Sequence, residues 1–162
     1  MSAREKIIDW LNDAHAMELA LVETLERHAK DAEGGGDPEV KSRIEQHIEE
    51  TRRQAETVAG CIESLDGTVS GAKDAFGKLF GAMQGMANRP MPDTMVKNAL
   101  ADYAAEHFEI ASYRALIEAC QQAGEKDVAD KLKAILKEEE DMAKFLEKKL
   151  PGAVEEALSE AE

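Results

Sequence analysis

The chain has 162 residues, the size of one domain, and carries 34 acidic against 20 basic side chains, a formal net charge of −14. Hydrophobic residues make up 43% and aromatic residues 4%, which excludes a disordered acidic chain and argues against a β-sandwich or barrel. The abundance of Ala, Leu, Glu and Lys predicts an all-α protein in a single domain over residues 1–162.

The charge and the lack of long apolar runs restrict partners and location. Phosphates would be repelled, so we expect no nucleic acid partner and no anionic membrane partner, whereas a basic protein partner fits the charge. No run of about 18 apolar residues is present, and the N-terminus lacks an apolar core of signal-peptide length. We therefore expect a cytoplasmic protein in which Cys61 and Cys120 are small buried residues without a bond.

The first two predicted helices have clear boundary signals. Ser2 and Glu5 form a capping box ahead of an apolar pattern with three- and four-residue spacing, and the glycines at 34–36 end that pattern. Asp37 with Pro38 then begins a second pattern, which Asp66-Gly67 ends. The predicted helices cover about residues 3–33 and 38–65.

The rest of the chain is predicted to hold a long connection and two more helices. Glycines and prolines interrupt residues 68–92, where we expect a connection with a short amphipathic helix near 70–87. Asp93 caps the next predicted helix and Gly124 ends it, and Pro151 ends the last one, ahead of a short acidic helical tail. These two helices are predicted over about residues 94–123 and 126–149.

The connection lengths predict the topology of the bundle. Short loops join helices 1 and 2 and helices 3 and 4 as antiparallel pairs, while the long middle connection lets helix 3 restart at the end where helix 2 began. The expected fold is a ferritin-like four-helix bundle, up-down-down-up, with one long crossover that contains a short extra helix.

Each predicted helix becomes polar near the middle of its apolar face. Glu18, Glu50, Glu106 and Glu139 occupy these midpoints, so they are expected to converge at one level of the bundle. Buried carboxylates repel one another unless protons or cations neutralise them, and two divalent cations would balance four carboxylates. Such oxygen-rich sites suit iron or manganese, with zinc as a substitute. The alternative is that these glutamates lie at the edge of the face and reach water.

The residues predicted to hold metal include His47, which lies one turn from Glu50, and Glu109, which lies one turn from Glu106. The predicted ligands are Glu18, His47, Glu50, Glu106, Glu109 and Glu139. The side chains expected to support them by hydrogen bonds are His15, Gln54, Tyr103 and His107.

Four of these segments also carry a family resemblance. They are Asp13–Glu18, His47–Thr51, Glu106–Tyr113 and Glu138–Glu140. Over about residues 5–150 the chain resembles the YciE/YciF-like family of bacterial stress-associated ferritin-like proteins. The resemblance implies a helical bundle, commonly a homodimer, that is related to rubrerythrin-type di-iron proteins.

The chain departs from the wider ferritin-like pattern, in which two helices carry Glu-x-x-His. Arg52, Arg53 and Met142 stand where that pattern has His. Two functional hypotheses therefore remain. One is a di-iron or manganese protein with ferroxidase- or peroxidase-like chemistry on O₂ or peroxide, or with a role in iron handling. The other is a metal-free helical stress or assembly protein, in which hydrogen bonds and Glu–Arg pairs fill the polar level.

Overall fold

The computed structural model describes residues 1–32, 36–71 and 93–159, and these residues form four α-helices without a strand. We number them in chain order: α1 is Ala3–Asp31, α2 is Pro38–Ser64, α3 is Thr94–Ala123 and α4 is Lys126–Ser159. The all-α prediction is confirmed. The short helix predicted near 70–87 lies outside the described residues, apart from residues 70 and 71, which are not helical.

The helix starts follow the expected signals at two of three positions. The Ser2 hydroxyl accepts a hydrogen bond from the Glu5 backbone N–H, and the Glu5 carboxylate accepts one from the Ser2 N–H. The Asp37 carboxylate accepts from the Glu39 N–H at 2.8 Å. Asp93 precedes α3 but makes no side-chain cap hydrogen bond, contrary to the prediction, because its carboxylate pairs with Lys97 at 2.9 Å.

The turn after α2 has an unusual residue in the left-handed region. Asp66 has φ of 59°, while the following Gly67 donates its N–H to the Ile62 carbonyl at 2.9 Å. A Cβ at Gly67 would lie 2.8 Å from Ile8 Cγ2, so the close packing against α1 requires glycine there. The predicted stop at Asp66-Gly67 is right, although the aspartate adopts the strained conformation.

The last helix continues past its predicted end. Pro151 lies inside α4, which extends to Ser159 as one helix instead of a helix followed by a separate tail. A proline in a helix removes one backbone hydrogen bond, the one to the carbonyl four residues earlier. Both Pro151 and Glu147 are exposed, so water can satisfy that carbonyl.

The helix contacts give the predicted ferritin-like topology. α1 packs against α2 and α3, and α4 packs against α3 and α2, with α2 and α4 making the sparsest of these four contacts. The pairs His28–Asp102 and Asn98–Asp31 show that α1 and α3 run antiparallel. Lys149 binds Asp37 at 2.7 Å and so sets α4 antiparallel to α2. The bundle is therefore up-down-down-up.

The core consists of two apolar clusters with charged side chains between them. The larger cluster fills the end where α1 begins and includes Leu11, Val58 and Leu132. The smaller one comprises Leu25, Ile44, Ile48, Met142 and Leu146. Between them lies a layer of buried charged residues, which we call the central layer: Glu18, His47, Glu50, Glu106, Glu109 and Glu139. Cys61 and Cys120 are buried and unbonded in the larger cluster, as predicted.

The buried face of α3 differs in part from the one that its apolar pattern predicts, which runs through Leu100, Tyr103 and Ile110. Ile110 is buried as expected, but Asn98 and Asp102 are buried as well, whereas Leu100 is 51% exposed. Apolar residues occur around all sides of this helix, so they define no single apolar stripe. The buried face of α3 carries the two glutamates of the central layer together with apolar residues such as Ile110 and Leu116.

No helix in the described parts of the chain is long and apolar enough to cross a membrane.

Candidate metal centre

The central layer brings together six ionisable side chains from all four helices. Glu18 and Glu139 are 0% exposed, and Glu106 and Glu109 are 2% and 1% exposed. α1 supplies Glu18, α2 supplies His47 and Glu50, α3 supplies the pair Glu106 and Glu109, and α4 supplies Glu139. The convergence of helix midpoints expected from the sequence therefore places all six predicted ligand residues at one level.

His47 lies at the centre of this layer and contacts three of its glutamates. Its Nδ1 lies 3.0 Å from Glu50 Oε2 and its Nε2 lies 3.1 Å from Glu106 Oε1, with Glu139 Oε2 at 3.5 Å. Burial would lower the pKa of His47, but the charge of Glu106 and hydrogen bonds to Glu106 and Glu50 raise it to about 10. In this structure the imidazole is thus a buried cation that neutralises neighbouring carboxylates.

Glu50 lies at the edge of the layer and is the best paired of its carboxylates. Arg43 donates to Glu50 Oε2 at 3.0 Å, and the Gln46 amide donates to Glu50 Oε1 at 2.8 Å. The hydrogen bond from His47 lowers the pKa of Glu50 to about 2, and Arg43 contributes in the same direction. Glu50 is therefore ionised at neutral pH.

Two polar side chains support the other carboxylates. The fully buried Tyr113 donates its hydroxyl to Glu18 Oε1. The Gln54 amide donates to Glu139 Oε1 and, at 2.8 Å, to Glu138 Oε2. Gln54 thus has the supporting position predicted for it. Tyr113 lies seven residues after Glu106 and four after Glu109 on the same face of α3, and this spacing points to its role.

Burial favours the protonated form of three of these glutamates. It raises the pKa of Glu18 to about 8, against the lowering effect of the Tyr113 hydrogen bond. Burial and the charge of Glu139 raise the pKa of Glu109 well above its ordinary value, and burial and the charge of Glu106 do the same for Glu139. Glu18 is therefore mostly a neutral acid at pH 7 when no cation is bound.

Several oxygens of the layer have no hydrogen-bond partner among the described residues. They are Glu18 Oε2, Glu106 Oε2, Glu139 Oε2 and both oxygens of Glu109. A buried polar atom without a partner costs roughly 1–3 kcal/mol. His47, Glu106 and Glu139 also offer three ligand atoms that all lie within 4.8 Å of one another. Carboxylate and imidazole donors in this number fit divalent iron or manganese.

Three predicted supporting residues lie away from the layer. His15 is half-buried and has no hydrogen bond to any described residue. His107 is exposed and stacks edge-on against Tyr103, with ring centroids 4.6 Å apart. Tyr103 itself packs on the smaller apolar cluster. For Tyr103 and His107 the reason is that α3 turns a different face to the core than its apolar residues indicated.

The residues that replace the histidines of the wider pattern are not bound to the layer. Arg52 is exposed and pairs with Glu49 and Glu26. Arg53 is exposed and lies 3.6 Å from Glu138. Met142 is 0% exposed in the smaller apolar cluster. Among the described residues, His47 and Arg43 are therefore the cationic groups that pair with the layer, and Arg52 and Arg53 are not.

A second buried polar pair was not predicted. His28 Nδ1 lies 2.7 Å from Asp102 Oδ1, and both residues are at most 3% exposed. Asp102 lies one turn before Glu106, and burial raises its pKa against the opposing hydrogen bond from His28. His28 lies three residues after Leu25 on the buried face of α1, which was the available signal.

Comparison with known proteins places the chain in a family. The model of the family described as a domain of unknown function, DUF892, matches residues 2–159. The chain belongs to the DUF892 family. A solved structure of a protein from Xanthomonas campestris is 35% identical to this chain, with a TM-score of 0.84, and the match covers 99% of each chain.

More distant solved structures confirm the fold. The E. coli stress protein YciF is 22% identical, with a TM-score of 0.83 over 96% of this chain and 98% of that one. A Rhodobacter capsulatus bacterioferritin, described with a metal-free dinuclear site and haem iron, is 21% identical with a TM-score of 0.76, over 95% of this chain and 92% of that one. The predicted resemblance to the YciE/YciF-like family and the ferritin-like bundle are both confirmed.

Proposed function

We propose that the central layer binds two divalent cations, iron or manganese, and that this DUF892 protein handles iron or acts on O₂ or peroxide. Glu18, Glu106, Glu109 and Glu139 would hold the cations, together with His47 and Glu50. The observation that carries the proposal is the set of buried carboxylate oxygens without partners in the described residues. Two bound redox-active ions would supply the electrons needed to reduce O₂ or peroxide, because the side chains of the layer are not themselves reductants.

The charge of the layer supports two cations. Four ionised buried carboxylates balance the charge of two divalent ions, with Glu50 remaining paired to Arg43 or joining as a ligand. For that state His47 and each carboxyl that is protonated must release a proton. Cation binding therefore exchanges protons for metal, which is usual when buried acids act as ligands.

The supporting residues would orient the ligands and exclude water. Tyr113 holds one oxygen of Glu18 and leaves the other free, and Gln54 does the same for Glu139. Hydrogen bonds of this kind fix the direction of a ligand carboxylate. The larger apolar cluster closes the layer on one side and the smaller cluster on the other.

Elemental analysis tests the proposal. Protein purified without chelators is expected to carry iron, manganese or zinc, and chelator-treated protein is expected to bind about two Mn²⁺ or Fe²⁺ per chain. Glu106→Gln is expected to lower this capacity, whereas Glu63→Gln, which changes an exposed residue outside the layer, retains it. Absence of bound metal, together with no rise in melting temperature on adding Fe²⁺, would refute the proposal.

A metal-free role in assembly is the second candidate, and His47 favours it. The protonated imidazole already pairs with Glu50 and Glu106, so the layer partly neutralises itself. Under this reading Glu106→Gln changes no metal content, since the wild-type protein contains none. Metal content and cation-dependent melting thus separate the two functions.

We propose a bacterial cytoplasmic homodimer as the working form, on the family resemblance, with an acidic surface suited to a basic protein partner. Sedimentation equilibrium tests the dimer. Pull-downs repeated at high salt test the partner, because screening weakens an association of this electrostatic kind.

A further inference from the structure

Glu50 is the outermost carboxylate of the central layer. It is 8% exposed, whereas the other glutamates of the layer are at most 2% exposed. It lies on α2, whose contact with α4 is sparser than the α1–α2, α1–α3 and α3–α4 contacts. A cation that comes from solvent therefore meets Glu50 before the buried glutamates.

Arg43 covers this outermost carboxylate. Its guanidinium donates to Glu50 Oε2 at 3.0 Å, and its side chain is only 17% exposed. The same oxygen lies 3.0 Å from His47 Nδ1, so two cationic groups converge on it. A metal ion would coordinate the lone pairs of Glu50 Oε2 that now accept the hydrogen bond from Arg43. Arg43 and a metal cation therefore compete for the same oxygen.

We infer that Arg43 controls cation access to the central layer by occupying Glu50, and that uptake proceeds between α2 and α4 as Arg43 swings off this carboxylate. The inference rests on the proposed metal-binding function. Its ligand class is a divalent cation, which carries the charge needed to displace a guanidinium from a carboxylate.

A second carboxylate lies within electrostatic range of Arg43. Asp141 lies on the exposed side of α4, where Lys137 binds it. The Lys137 hydrogen bond is the main cause that lowers the pKa of Asp141, and the charge of Arg43 makes a small contribution in the same direction. An Arg43 side chain that leaves Glu50 would therefore move within the field of a second anion.

The test compares three variants of the full-length protein with Co²⁺ as the probe. Arg43→Gln removes the competing positive charge. Arg43→Lys keeps the charge but replaces the guanidinium by an ammonium group. Arg52→Gln is the control. Arg52 is on the same helix and its loss changes the net charge equally, but it pairs with Glu49 and Glu26 on the surface. Stopped-flow absorbance measures association after chelator treatment, and equilibrium titration measures affinity.

Arg43→Gln is expected to bind Co²⁺ roughly tenfold faster than wild type, because a charge-assisted hydrogen bond no longer has to be broken. Arg43→Lys should be intermediate, and Arg52→Gln should match wild type. Equal rates for Arg43→Gln and Arg52→Gln, with cation binding intact, would overturn the inference and leave the metal proposal standing. Failure of the wild-type protein to bind Co²⁺ at equilibrium would overturn both. If Arg43→Gln does not fold, Arg43→Lys decides, since an unchanged rate in it contradicts the inference.

Discussion

Replacing Glu18 by glutamine should stabilise the metal-free protein at alkaline pH. Glu18 is 0% exposed, and burial raises its pKa from an ordinary value of 4.5 to about 8. Its carboxyl is therefore a neutral acid in the folded protein at pH 7, and a glutamine amide has the same shape. The Tyr113 hydroxyl, which donates to Glu18 Oε1, can donate equally to the amide oxygen.

The magnitude follows from the pKa difference. Because the folded pKa is the higher one, the stability contributed by the protonated carboxyl is complete below 4.5 and is lost as pH rises through about 8. A tenfold change in proton affinity is worth about 1.4 kcal/mol. The free energy of unfolding of the wild type should thus fall, relative to Glu18→Gln, by about 3–4 kcal/mol between roughly pH 5 and pH 8.

Urea unfolding with EDTA present, repeated over this pH range, measures the effect. The control is Glu63→Gln, which removes a carboxyl from an exposed position of α2 and should follow the wild type at every pH. A gap between Glu18→Gln and wild type that does not widen with pH would show that Glu18 is ionised in the fold, and would refute the reasoning. With saturating Mn²⁺ the order should reverse, because the wild-type carboxylate then binds metal.

Three further outcomes are expected from the same geometry. Titration of Zn²⁺ into chelator-treated protein near pH 7 should release about two protons per chain or more, since His47 (pKa about 10) and Glu18 (pKa about 8) must each lose a proton to bind it, and affinity should rise with pH; a pH indicator in weakly buffered solution measures the release. Tyr113→Phe should lower the free energy of unfolding by about 1–2 kcal/mol in urea, because Glu18 Oε1 loses its donor. His28→Ala should cost about 2–4 kcal/mol, because it leaves Asp102 buried without its partner, whereas His15→Ala should change thermal unfolding little; equal losses would contradict this.

The position of the central layer was predictable because it depends on local features. Capping residues and helix lengths set where each midpoint falls, and helices of similar length bring their midpoints to one level. Glu18 and Glu139 follow directly from that rule, and Gln54 follows from its position one turn after Glu50. The long connection between α2 and α3 likewise favoured the observed topology over a simple up-and-down bundle.

The rotation of each helix about its axis was not predictable to the same degree. On α3 apolar residues surround the helix, so the observed rotation places Tyr103 and His107 away from the layer and buries Asp102 in the core. The His28–Asp102 pair depends on two helices that are far apart in sequence, which no local pattern encodes. Pro151 is a strong local signal for the end of a helix, yet α4 continues through it. The position is exposed, so water can accept the role of the missing backbone hydrogen-bond donor.

The division of the core into two unequal apolar clusters has a consequence for local unfolding. The end of the bundle that contains Leu25, Ile44 and Leu146 has few apolar contacts and borders a cavity of about 410 Å³. Backbone amides there should exchange with deuterium through partial openings that leave the larger cluster intact. A cation bound at the central layer would link the two ends of the bundle. With metal bound, the amides of both ends should therefore exchange through the same cooperative unfolding event.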